Sequence, residues 1–115
     1  MQSVSHTKLQ EMAQIMAQAS GAVKVILFGS RARGDFDKSS DWDFLLLLPE
    51  GDWMQTFESE MDMVRTAHNS LLKAGIDLSM DIIPMSVRGF EEGTTVLARV
   101  IWKEGITLLE TSVTA

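Results

Sequence analysis

Five consecutive apolar residues, Phe44-Leu45-Leu46-Leu47-Leu48, are opened by Asp41-Trp42-Asp43 and closed by Pro49-Glu50-Gly51. The run is far too short to cross a bilayer, and its closing residues are turn formers, so it predicts a strand over 41–48. Aspartate is depleted in strands, and two of them at the mouth of this one require a reason. Residues two apart in a strand point to the same face, which puts Asp41 and Asp43 together and Trp42 with Phe44 opposite.

The rest of the pattern surrounds that strand. Thr7 to Ser20 predicts a helix with capping-box spacing at Thr7 and Gln10, an apolar stripe through Leu9, Met12, Met16 and Ala19, and a stop at Gly21. Val23 to Phe28 predicts a buried strand, and Gly29 to Ser40 a turn and loop. Asp52 to about Ala74 predicts a long helix, with Asp52 and Gln55 as a second capping box and Gly75 after its end. Its stripe is Trp53, Phe57, Met61, Val64, His68 and Leu71. Asp77 to Ile83 predicts a third strand closed by Pro84, followed by a helical piece at 86–92 and a helix over Thr95 to about Lys103. Ile106 to Leu109 fits a short last strand or a docked tail. The order α-β-β-α-β-α implies an α/β (α+β) fold, with helices packed on a small mixed sheet. The loop between the first two strands is too short for a helical crossover, so they are expected to be antiparallel.

A length of 115 residues suits a single domain, 1–115. No cysteine is present, which excludes disulfides and thiolate metal sites. The N-terminus has no basic-then-apolar leader pattern, and a cytoplasmic location without membrane association is expected. A formal net charge of -6 argues against non-specific binding to a nucleic acid backbone.

On the third strand, Asp77, Ser79 and Asp81 share a face, and pairing with the second strand would bring Asp81 beside Asp41 and Asp43. Two carboxylates about 4 Å apart repel by roughly 1 kcal/mol in water and about 4 kcal/mol at an effective dielectric of 20. A divalent metal reverses that sign, and magnesium takes one or two carboxylates together with substrate phosphates. A metal pair about 3.5–4 Å apart can stabilise both oxygens of an in-line displacement. Asp77 lies about 13 Å along the strand from Asp81, so the two cannot serve one metal pair, and Asp81 is preferred. Ten residues separate Asp41 from Ser30, which stands in Gly29-Ser30-Arg31-Ala32-Arg33-Gly34. Gly29 permits close backbone approach, Ser30 offers a hydroxyl and an amide to phosphate, and Arg31 and Arg33 can neutralise it or pair with Asp35 and Asp37. The Gly-Lys-Ser/Thr ending of a Walker loop is absent. His68 reads as a core or partner-facing residue and His6 as part of the terminus. Trp53, Phe57 and Trp102 read as core or as an interface.

Gly29-Ser30, ten residues, Asp41-Trp42-Asp43, and a later Asp81-Ile82-Ile83-Pro84 together resemble the DNA polymerase beta-like nucleotidyltransferase superfamily. The wording from Gly29 to Asp35 is most similar to its minimal nucleotidyltransferases of the MntA type. The likeness covers roughly Val23 to Leu109. It implies nucleotidyl transfer from ATP with two magnesium ions. Asp41, Asp43 and Asp81 would then be catalytic metal ligands, with Asp81 also helping to deprotonate the acceptor hydroxyl. Gly29 and Ser30 would bind the phosphates, with Arg31 and Arg33 beside them. MntA-type members are usually encoded beside a HEPN-type RNase toxin and act as antitoxins by placing AMP on a tyrosine of that partner. Transfer to a small molecule such as an aminoglycoside is the alternative enzymatic expectation. Neutralisation of a partner by contact alone is the expectation from a different class. A homo- or hetero-oligomer is compatible with each.

Overall fold

The structure, a computed structural model, describes residues 4–50 and 57–111. Four strands form one sheet in the order β3-β2-β1-β4. They are β1 (Lys24–Phe28), β2 (Trp42–Leu48), β3 (Met80–Ser86) and β4 (Ile106–Glu110). β1 pairs antiparallel with β2 and with β4, while β2 and β3 run parallel. A parallel pair needs a long crossover, and here it contains a helix, α3 (Phe57–Lys73). The antiparallel β1–β2 pair follows from the loop length, as expected.

The sheet is covered on both faces, which is why β2 reads as an unbroken apolar run rather than an alternating one. Alternate residues Val25, Leu27, Trp42, Phe44, Leu46 and Leu48 pack with Met12, Ala13, Met16, Ala67 and Leu71 of α1 (His6–Ser20) and α3. The intervening residues Ile26, Phe28, Leu45 and Leu47 pack with Phe90, Ala98 and Ile101 of α4 (Val87–Glu92) and α5 (Val96–Glu104). Asp43 falls in the second set by parity, and so does Asp81 with Ile83 and Met85.

Several expected boundaries move. α1 is capped by Ser5, whose Oγ accepts from the Lys8 amide at 3.1 Å, so Thr7 lies inside the helix rather than at its cap. The expected cap at Asp52, with Trp53, lies outside the described residues. Gly75 has φ +82° and closes α3, where the Ile76 amide donates to the Leu71 carbonyl at 2.9 Å. Met61, placed on the α3 stripe by its spacing, is 38% exposed. Trp102 is 49% exposed, yet its Nε1 donates to the Phe90 carbonyl and its ring meets Phe90 edge-on.

β3 starts three residues later than its sequence suggests and runs through Pro84. The reason lies in the hydrogen-bonding direction. The Trp42 amide donates to the Ser79 carbonyl, so odd-numbered residues of β3 face β2 and even-numbered ones face the open edge. Pro84 therefore lacks its N–H where no strand needs one, and it blunts the edge against further pairing. Ile106–Glu110 is the strand β4 at the other edge, not a tail.

Candidate active site

β2 and β3 are in a register that sets Asp43 directly opposite Asp81. Strand neighbours lie about 4.8 Å apart, so the two carboxylates share one face at one level. Asp41 immediately precedes β2, and its Oδ1 accepts from Ser79 Oγ at 2.5 Å, which ties it to the segment entering β3. Asp77 lies elsewhere, alongside Val4, Ser5 and Lys8 near the start of α1. The structure thus brings Asp41, Asp43 and Asp81 to one end of the sheet and leaves Asp77 out.

The Gly29-Ser30 turn closes over the same place. Gly29 has φ +78° and ψ -161°, a region that only glycine occupies readily. A Cβ built there would overlap the Asp43 carboxylate. The glycine is therefore required both by its backbone angles and by the side chain against which it rests. Beyond it, the expected loop contains a single helical turn, α2 (Ser30–Arg33), ended by Gly34 at φ +93°.

The two arginines of α2 part company. Arg31 is layered between two rings, 4.4 Å from the Phe36 centroid and 4.5 Å from that of Trp42. It also donates from Nε and Nη2 to the Ser40 carbonyl, at 3.3 and 3.1 Å. Trp42 lies on the sheet face opposite Asp43, so in this structure Arg31 fastens the 34–41 loop rather than facing the carboxylates. Arg33 turns the other way, to Asp35 at 3.2 Å and Glu104 at 3.1 Å. Arg31→Ala removes the stacked cation and both donors, about 1–2 kcal/mol of loop order. Limited trypsin digestion should then cut after Lys38 several-fold faster than in the wild type, with the core strands equally resistant.

Glu104 is a site neighbour that motif reading missed. It ends α5, yet its carboxylate reaches the turn: Oε2 accepts from the Gly29 amide at 2.6 Å. A sequence signal existed, because a carboxylate at the last residue of a helix meets the negative end of the dipole and needs a compensating partner.

The field at this end of the sheet is strongly negative. The Asp43 carboxyl is pushed above the usual carboxylate value, first by burial, then by the charges of Asp81, Asp41 and Glu104, with Arg33 opposing. Among the described residues, no three carboxylate or imidazole groups form a ready-made metal cage. Magnesium asks for less, since one or two carboxylates and substrate phosphates complete its shell. Hard oxygen donors, a field that Arg33 only partly offsets and a glycine cradle fit such an ion.

Comparison with known proteins agrees with this geometry. The family model for the nucleotidyltransferase domain matches residues 9–104. A Methanocaldococcus jannaschii protein named "Putative protein adenylyltransferase" is 38% identical over 65 residues, 56% of this chain. The match spans 63% of that protein's length. A Sulfolobus solfataricus crystal structure described as "a putative nucleotidyltransferase" has TM-score 0.59 and 24% identity, covering 89% of this chain and 77% of its own. A crystal structure of a toxin-antitoxin with AMP-PNP has TM-score 0.59 at 16% identity, covering 90% of this chain and 74% of its own. These two share the fold. With the family model spanning the Gly29-Ser30 turn, all three aspartates and Glu104, the chain belongs to the nucleotidyltransferase domain family.

Proposed function

We propose that the chain transfers AMP from ATP to a hydroxyl acceptor, and that the acceptor is a tyrosine of a HEPN-type partner protein, which the transfer silences. The observation that carries the reading is the Asp43–Asp81 register, with Gly29 seated against Asp43. In the reaction the acceptor oxygen bonds to the α-phosphorus as the bond to the bridging oxygen breaks, and pyrophosphate leaves. Asp81, exposed at the outer strand, takes the hydroxyl proton. Asp41, Asp43 and Asp81 would hold magnesium. When bound, magnesium would offset the charge developing on phosphate oxygens. Ser30 and the turn amides receive the phosphates, with Arg33 beside them.

The protein-acceptor part of the reading is supported by the relative named for protein adenylyl transfer and by the toxin-antitoxin neighbour. Its test is the mass of the protein encoded by the adjacent gene, after incubation with this chain, ATP and magnesium. The expected result is one added AMP, mapped to a tyrosine and lost when that tyrosine is changed to phenylalanine. An unmodified partner that is nonetheless neutralised would point to contact alone. A modified aminoglycoside in place of a modified protein would move the acceptor to the small-molecule class.

A further inference from the structure

The β1–β4 pairing reaches Leu27 and Ile106, and then the two chains diverge. Past that point, the Gly29 amide would continue the ladder, but a side chain takes the place of a strand carbonyl: Glu104 Oε2, at 2.6 Å. Both Glu104 oxygens also accept from Arg33 Nη1, at 3.2 and 3.1 Å. The Glu104 side chain is only 15% exposed, so it is shielded from the water that would otherwise compete for these bonds. Gly105 sits beneath it in a tight turn, its amide donating to the Ile101 carbonyl at 2.7 Å. A Cβ at Gly105 would crowd that carbonyl and Ile26. The position of Glu104 is thus dictated by the packed end of α5.

We infer that Glu104 is a positioning residue for nucleotide binding: from α5 it holds the Gly29-Ser30 turn and the Arg33 guanidinium in the geometry that receives the phosphates. The inference rests on the nucleotidyl-transfer reading. Without the carboxylate, the Gly29 amide loses its acceptor, and a turn in a glycine-only conformation is free to leave the Asp43 side chain. Among the described residues, Arg33 then keeps only Asp35, two residues away and exposed. Neither consequence removes a group that touches the reacting atoms.

The test is calorimetric titration of the full chain with magnesium and AMP-PNP. Glu104→Ala is expected to bind about tenfold more weakly or worse, the loss of one charge-assisted bond. Glu104→Gln keeps an oxygen for the Gly29 amide and is expected to stay within about threefold of wild type, with a similar melting midpoint. Lys103→Ala, one residue earlier on α5, controls for general disturbance of the helix end and should bind as wild type does. A purely structural role would lower the melting midpoint of Glu104→Ala without changing the affinity of its folded fraction. Wild-type affinity in folded Glu104→Ala overturns the inference and leaves the nucleotidyl-transfer reading standing, as does a Glu104→Gln loss equal to that of alanine. Failure of the wild type to bind removes that reading and this inference with it.

Discussion

Asp43→Asn should lower AMP transfer by at least about 10³-fold, roughly 4 kcal/mol of transition-state stabilisation, while making the metal-free protein more stable. The two effects share one cause. Asp43 is half-buried and stands opposite Asp81, near Asp41 and Glu104, and burial first, then those charges, push its carboxyl above the usual carboxylate value. An acid whose folded value is raised binds protons more readily folded than unfolded. Its contribution to stability is therefore lost as pH climbs from below 3.8 through the raised value, and it remains a penalty at neutral pH. Solvent reaches the group, and screening keeps the penalty small. Asparagine removes that penalty together with the ligand. Thermal melts at pH 7 without metal should place Asp43→Asn above wild type, and the difference should fade as pH drops below the usual carboxylate value. Millimolar magnesium with AMP-PNP should raise the wild-type midpoint and leave the variant's nearly unmoved. A variant no more stable than wild type without metal would show that neither burial nor the neighbouring charges penalise the Asp43 carboxylate.

Gly29→Ala is expected to fail for a different reason. An alanine at φ +78° and ψ -161° costs about 1–3 kcal/mol from backbone strain alone. Its Cβ would also displace the Asp43 carboxylate. The melting midpoint should drop by about 10 °C, and transfer should fall below detection even at temperatures where circular dichroism reports a folded chain. Gly21→Ala gives the comparison: its φ is +82°, but a Cβ there meets nothing within 4 Å, so it should cost stability and spare transfer. Equal losses of activity in the two variants would mean that backbone strain, not the Asp43 contact, governs position 29.

The legible part of this site was the part written in alternation and glycine. Asp41 and Asp43 sit two apart ahead of Phe44–Leu48, and a period of two places them on one face whatever the partner strand does. Asp81 followed once β2 and β3 were neighbours, a topology that the intervening helix favours. Pro84 misled because a proline usually ends a strand, and only the direction of the ladder decides whether its missing N–H matters. Arg31 looked equivalent to Arg33, since both follow the Gly-Ser turn. One helical turn sends them to opposite sides of the sheet, and Trp42 and Phe36 capture the first. Glu104 lies 75 residues from Gly29; its place at a helix end signals the need for a partner, but nothing local says that the partner is Gly29.

In the proposed reaction, this end of the sheet moves a nucleotidyl group rather than a phosphoryl group, through its aspartates and magnesium. Parallel incubations with ATP labelled at the α- or the γ-phosphorus, with the partner protein and with or without magnesium, test it most directly. Acid-stable label should reach the partner from α-labelled ATP alone, only with magnesium, and none should come from Asp41→Ala plus Asp43→Ala. Label arriving from the γ-phosphorus, or α-label transferred equally by the double variant, would contradict it.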